Sequence, residues 1–425
     1  MSNESPEPEE TDDLSKSRNE LPAHEVLEKI RNGETISNVR INRLRLRGEF
    51  TTPVRFKNCT VSRLIIENAT FTEDVQFFRC TLDRPDSSRK NIFAKGLDLN
   101  ESTIIRGTFR GLHVRGQLSC REIRAKGKLL FADAEFQKVF FWDANIEGWF
   151  EFKNCKLEGS GDFRSMQMAE GCNFIGCQFQ QEFLLRGTSV TKKLDFGNSR
   201  FEKMLDLSKA KLYDFVYLEE IHQGEQQQFA FENAIAERIR IRPEQVEGRL
   251  ASEQTGKYES AMQEYGLLKQ CFQNLHRFDQ EDWAFYRFKV NQRRGVGRSW
   301  KRPWTKVGQF ANWLFLDLGC GYGTNPFRAV VAAMVIILSF GLIYSVGIEQ
   351  FNIDASEYPF EGAVTDVVNR TVIGMMTSMA VFTSGLGDSL GRAHGWMNLP
   401  LIVEAFLGTL LFGLFIVAFS RKVIR

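Results

Sequence analysis

The chain lacks several things that would have simplified its reading. Its net charge is only +2, so no bulk electrostatic attraction to nucleic acid is expected. Its opening residues are acidic and polar (Glu4, Glu7, Glu9, Glu10, Asp12, Asp13) with no apolar core. No secretory leader is expected, and a disordered tail is expected over 1–20. Its eight cysteines contain no Cys-x-x-Cys pair. Neither a zinc site nor a redox pair is expected, and small buried residues in a reducing compartment fit better. No His, Asp or Glu cluster stands out, so no enzymatic activity and no resident cofactor is expected. Before Pro326 the chain has no long apolar run.

What it has instead is a repeat. From Phe131 onward a phrase recurs: aromatic or leucine, two residues, a small residue, one residue, an apolar residue. It reads Phe131/Ala134/Phe136, Phe141/Ala144/Ile146 and Phe152/Cys155/Leu157. It continues as Phe174/Cys177/Phe179, Leu185/Thr188/Val190, Phe196/Ser199/Phe201 and Leu207/Ala210/Leu212. Earlier copies stand at Phe56/Cys59/Val61, Ile66/Ala69/Phe71 and Phe77/Cys80/Leu82, with an insertion around 83–91. Neither a helix nor a flat strand has this period. Short apolar triplets between polar corners suit a chain that coils and stacks on itself, held by contacts between neighbouring coils. Two phrases per coil give a rung of roughly 20–22 residues and about eight coils between Ile36 and Val216.

Phrases such as FKNCKL, FADAEF, FKNCTV and FGNSRF resemble the pentapeptide-repeat family in its aromatic-rich variant. The resemblance implies a right-handed quadrilateral β-helix over 36–216. Some members of that family mimic DNA. Here the solenoid carries roughly eight more basic than acidic residues, which argues against mimicry. A scaffold or a surface for an unknown cytoplasmic ligand or protein is expected.

A capping helix is predicted over 21–35, with Val26, Leu27 and Ile30 on one side and Gly33 as its stop. Residues 217–298 read as a helical linker. One amphipathic helix covers 258–276, and a second follows Asp279 as N-cap. Trp283 and Phe285 read as core packing rather than a ligand cage. Residues 299–326 mix Trp300 and Trp304 with Lys and Arg, as at a membrane interface, and an amphipathic surface helix fits 305–318. The Gly-Cys-Gly-Tyr-Gly run at 319–323 lacks the Lys-Ser/Thr of a phosphate loop, and a sharp turn is expected.

Residues 329–348 carry no charge and reach about 30 Å as a helix, enough to cross a bilayer. Residues 399–420 form a second apolar run, broken only by Glu404. Basic residues flank the outer ends of both runs, and the loop between them is acidic. The expectation is a multi-pass protein of the inner cell membrane with both termini cytoplasmic.

Between the runs, 366–380 suits a helix too short and too polar to cross. It leads into Val381-Phe382-Thr383-Ser384-Gly385-Leu386-Gly387-Asp388. Extended backbone at that depth is tolerated only under cover of protein or water, and a ring of such loops would turn its carbonyls onto a cation. This segment resembles the selectivity filter of two-transmembrane potassium channels, Thr-Val-Gly-Tyr-Gly-Asp. Thr383, Gly385, Gly387 and Asp388 match; Ser384 and Leu386 do not. The resemblance runs into the last span and covers a pore domain at 327–425 with a re-entrant loop. It implies a homotetramer in the lipid bilayer and a permeating monovalent cation, K+ by preference, held by backbone oxygens of Thr383, Ser384, Gly385 and Leu386. Leu386 replaces the bracing tyrosine and cannot donate a hydrogen bond, which implies a looser filter. Thr377, Glu404, Gly408 and Gly413 are assigned to the pore helix and pore lining. Glu404 is expected to hydrogen-bond behind the filter. Gly408 and Gly413 suit either gating hinges or close packing. A gated cation channel and a non-conducting receptor or scaffold built on the same fold both remain open.

Overall fold

The computed structural model describes residues 19–88, 90–295, 308–310, 312–351, 366–385 and 393–423. They form two units, 1–280 and 281–425.

The first unit is a β-solenoid of about nine turns. Its strands pair in parallel, each with the strand one coil on. Phe56 lies opposite Phe77, Arg124 opposite Asn145, and Phe152 opposite Phe174. The inward position of each phrase becomes a stacked column. Phe56 and Phe77 stack with ring centres 4.8 Å apart, Phe131 and Phe152 at 4.9 Å, and Phe174 and Phe196 at 5.3 Å. These rings are buried, so hydrophobic burial and ring stacking act along the whole axis. The small positions serve the corners. The Ser199 hydroxyl accepts from Cys177 N (2.9 Å) and donates to Phe174 O (2.5 Å), and Ser102 makes the same pair of bonds with Cys80 N and Phe77 O. Left-handed turns recur one coil apart at Asn58, Arg79, Glu101 and Glu122.

All eight cysteines are buried and unlinked. Burial pushes the Cys271 thiol up to about 11. The thiolate is therefore scarce at neutral pH, in keeping with a packing role.

The insertion at 83–91 does not break the ladder. Residues Thr81–Ser88 pair with Thr60–Phe71 on one side. Asn91, fully buried, donates to Ile66 O (3.2 Å) and Ser88 O (3.2 Å) and accepts from Ala69 N (3.0 Å). One side-chain amide replaces the backbone bonds that the irregular corner loses.

Three boundaries differ from expectation. Glu20 already bridges Arg40, so the chain joins the first coil before residue 21, while 1–18 lie outside the described residues. The solenoid does not end at Val216. Lys211–Tyr217 pairs with Ile235–Arg240, and Met204–Asp206 pairs with Gln228–Ala230. Lys211 faces Ile235, a step of 24 residues, so the eleven-residue beat fades while Leu218, Phe229, Phe231 and Ile239 stay inward. The first helix of the supposed linker belongs to the solenoid as its cap. Helix α1 (Ala23–Arg31) closes the first end, burying Val26 and Ile30. Helix α4 (Tyr258–Asn274), after the short helices α2 (Pro243–Val246) and α3 (Ala251–Gln254), closes the other. Its Glu264 carboxylate accepts from Phe231 N (2.7 Å) and from the Ser252 hydroxyl. Burial raises the pKa of Glu264, against those two bonds. The exposed ladder edge is thus capped at both ends.

Helix α5 (Phe278–Gly295) begins one residue before the expected N-cap Asp279. In the second unit two helices are long and apolar enough to cross a membrane. These are α6 (Pro326–Val346) and α8 (Asn398–Val423), with mean hydropathy 2.5 and 2.4 in their most apolar windows. Asn325 caps α6 by accepting from Phe327 N (3.0 Å), and Pro326 starts it. The glycine-rich run before it is a tight turn, as expected, with Tyr322 in left-handed conformation (φ 56°). Within the expected surface helix, Asn312–Leu318 forms a wide π-helical turn. Trp300 and Trp304 lie outside the described residues.

Candidate functional site

The site is built around helix α7 (Asp366–Ser384), which packs against both α6 and α8. Small residues set the distance. A methyl group on Gly374 would come within 2.5 Å of Gly341 O, and one on Gly408 would collide with Phe382 O. Gly408 is therefore a close-packing site between α8 and α7. Gly413 has open space around its Cα, so packing within the chain does not explain it. The sequence reading did not single out the Gly341–Gly374 contact. A glycine in each of two neighbouring helices was its signal.

Glu404 is fully buried and joins all three helices. Its carboxylate accepts from Tyr344 Oη on α6 (2.6 Å) and from the Ser378 hydroxyl on α7. Ser378 Oγ also lies 2.9 Å from Ile337 O and has one proton to share between the two acceptors. Glu404 thus hydrogen-bonds to α6 and α7 from α8. An apolar cluster of Tyr344, Val381, Met397, Leu401 and Ala405 surrounds this centre. Thr377, one residue before Ser378, is half-buried.

The filter segment differs from expectation. Helix α7 continues four residues beyond 380, so Thr383 and Ser384 are helical rather than extended. Thr383 Oγ1 donates to Met379 O (2.7 Å), and Ser384 Oγ donates to Ala380 O (2.5 Å). Short hydroxyl side chains can bond back one turn inside a helix at a slight cost, so these two residue types are compatible with the helical state. Gly385 ends it with a left-handed φ of +79° and an N–H bond to Val381 O (3.0 Å). Leu386, Gly387 and Asp388 lie outside the described residues. Thr383 and Ser384 are exposed at the end of α7, where the helix dipole is negative.

A second cluster lies at the ends of the two apolar helices that carry basic residues. Asp317, nearly buried, accepts from Tyr286 Oη of α5 (2.8 Å) and pairs with Arg293 of α5 (2.6 Å). Arg328, at the start of α6, donates to Asp317 O (3.4 Å) and lies over the Tyr286 ring. Arg421, near the end of α8, pairs with Asp282 of α5 (3.0 Å) and lies 4.3 Å from the Phe285 ring centre. Phe285 thus receives a cation on its face rather than simply filling a core. Helix α5 therefore contacts α8 directly through the partly buried Asp282–Arg421 pair, and α6 through the Tyr286 ring and through Asp317, which Arg293 and Arg328 share. Composition marked Arg328 and Arg421 only as flanking charges, because their acidic partners lie far away in sequence.

Comparison of the chain with family models, with curated proteins and with solved structures finds no match.

Proposed function

We propose that the chain is a subunit of a homotetrameric cation channel of the inner membrane, K+-preferring, with both termini in the cytoplasm. The observation that carries this reading is α7. It is a helix packed on two membrane-length helices, tied to both by Tyr344–Glu404–Ser378, and it ends with Thr383 and Ser384 exposed. A helix C-terminus placed there offers a partial negative charge to a cation. The glycine-containing segment that follows supplies oxygens only if other copies enclose it. Four such copies form a closed ring. The solenoid then serves as sensor or scaffold. Movement of α5 reaches α8 through Asp282–Arg421 and α6 through Arg293–Asp317–Arg328.

The helical state of Thr383 and Ser384 favours a second reading, in which the fold only assembles the chains and does not conduct. Liposome flux separates the two. The channel reading expects barium-sensitive K+ flux that is lost in Gly385→Asp, and a reversal potential in mixed K+ and Na+ that ranks the two ions. Absence of flux under every condition, with the tetramer intact, leaves the assembly reading.

A further inference from the structure

The basic surplus of the solenoid is uneven. Residues 40–110 contain 14 basic against 8 acidic side chains, whereas 111–216 contain 16 against 14. Part of the surplus forms a single column. Arg43 pairs in register with Arg63, and Arg63 with Arg84. Leu82 faces Ile104 and Asp86 faces Thr108 with the same offset, so Arg84 faces Arg106. All four arginines are exposed, while Leu44, Leu64 and Pro85, each next in the chain, are buried. The four guanidinium groups therefore share one outer face. Adjacent coils are about 4.8 Å apart, and like charges in register destabilise a ladder. Other cations on these coils are neutralised. Arg45 pairs with Glu67 (3.5 Å), Arg79 with Glu101 (2.7 Å), and Lys95 with Glu73. Among the described residues, Arg43, Arg63, Arg84 and Arg106 have no such partner, although Asp83 and Asp86 flank Arg84 in the chain.

We propose that the acidic segment 1–18 of this same chain covers the arginine column. The charges match: six carboxylates (Glu4, Glu7, Glu9, Glu10, Asp12, Asp13) against Lys16 and Arg18. The attachment point is close. Arg40 N donates to Asn19 O (3.2 Å) and Leu21 N to Arg40 O (3.0 Å), three residues before the first arginine of the column. The reach is sufficient. Asp13 is six residues from Asn19, up to about 20 Å of chain, and Glu4 is up to about 50 Å away. The column itself rises about 14 Å over three coil steps. A segment tethered this closely acts at an effective concentration in the millimolar range, enough for several weak contacts to hold together. Each guanidinium can take a carboxylate in two-point fashion. An acidic or phosphate-bearing chain from solution would have to displace the tethered segment.

The test uses the full chain in detergent. In the Arg63→Lys and Arg84→Lys variants, carbodiimide should join the new amines to carboxylates of residues 4–13, as read by peptide mass spectrometry. The links should vanish near about 1 M salt, where the screening length is about 3 Å. Amines that couple to added succinate but not to that segment overturn the proposal. Stability provides an independent readout. Arg84→Gln should lower the melting temperature of the full chain, where the arginine is paired, and raise it in a chain lacking 1–18, where only repulsion is relieved. An equal rise in both overturns the proposal. Removing 1–18 should also tighten binding of inorganic polyphosphate by about tenfold or more. Equal affinity with and without the segment would assign the column to an external polyanion instead.

Discussion

The two units solve the burial of polar groups in different ways. In the solenoid, backbone groups bond from coil to coil. Residual corners are closed by small side chains such as Ser102, Ser199 and Asn91, each bonded to backbone one coil away. Every coil repeats the solution, and its stability comes from two neighbours. In the helical unit each helix satisfies its own backbone. What remains are single buried acids with partners of their own: Glu404 with two hydroxyls on two other helices, Asp317 with Tyr286 and Arg293, and Asp282 with Arg421. Repetition spreads stability over many equal contacts. The helical arrangement concentrates it in a few unlike ones, and those few fix where α7 can sit. Scaffolds suit the first design, and an element that must be placed or moved suits the second.

Substitutions can break this comparison. The largest effect is expected in the solenoid. Phe152 is fully buried and stacks between Phe131 (4.9 Å) and Phe174 (5.6 Å). Phe152→Ala should cost about 3–5 kcal/mol, seen as a lower denaturation midpoint. Because coupling is between neighbours, hydrogen exchange should rise mainly in the coils on either side. Uniform loss of protection over all turns would show that the repeat acts as one cooperative block.

A smaller loss is expected from Glu404→Ala, which strands the Tyr344 hydroxyl and leaves Ser378 only Ile337 O as acceptor, at about 1–3 kcal/mol. Thermal loss of the monodisperse protein in detergent measures it. Glu404→Gln, which keeps an acceptor, should lose less. If it loses as much, the charge rather than the hydrogen bonding positions α7.

The smallest effect is a pH slope at the solenoid cap. Burial raises the Glu264 carboxyl above its ordinary value of 4.5. The folded state then holds its proton to higher pH than the unfolded state. Its contribution is greatest below the ordinary value and is lost as pH climbs through the raised one. Stability should therefore fall as pH climbs above about 4.5, and Glu264→Gln should flatten that part of the profile. A wild-type profile that rises over the same window would mean the bonds from Phe231 N and Ser252 outweigh burial.

Much of the solenoid was legible because its code is local. The Phe131/Ala134/Phe136 phrase specifies an inward ring, a small corner and a second inward residue, and each coil repeats that chemistry. Legibility failed where the rung lengthened. The step from Lys211 to Ile235 hid the last coils, and α4 was taken for a linker because its partner, Phe231 N, lies 33 residues away from Glu264. At the candidate site, the two long apolar helices were legible from their nearly charge-free runs. The end of α7 was misplaced by four residues. Thr383 and Ser384 match a motif written for extended backbone, yet their hydroxyls can also bond back one turn within a helix.

The sequence alone determined periodicity and polarity: where the chain coils, where it can cross a membrane, and which residues must face inward. These follow from the spacing of apolar side chains and need no knowledge of distant partners. Only the tertiary structure decided which hydroxyls answer Glu404, which acids hold Arg293 and Arg421, and that four arginines from separate coils stand in one column. Each depends on side chains brought together from far along the chain, and no local spacing encodes that meeting.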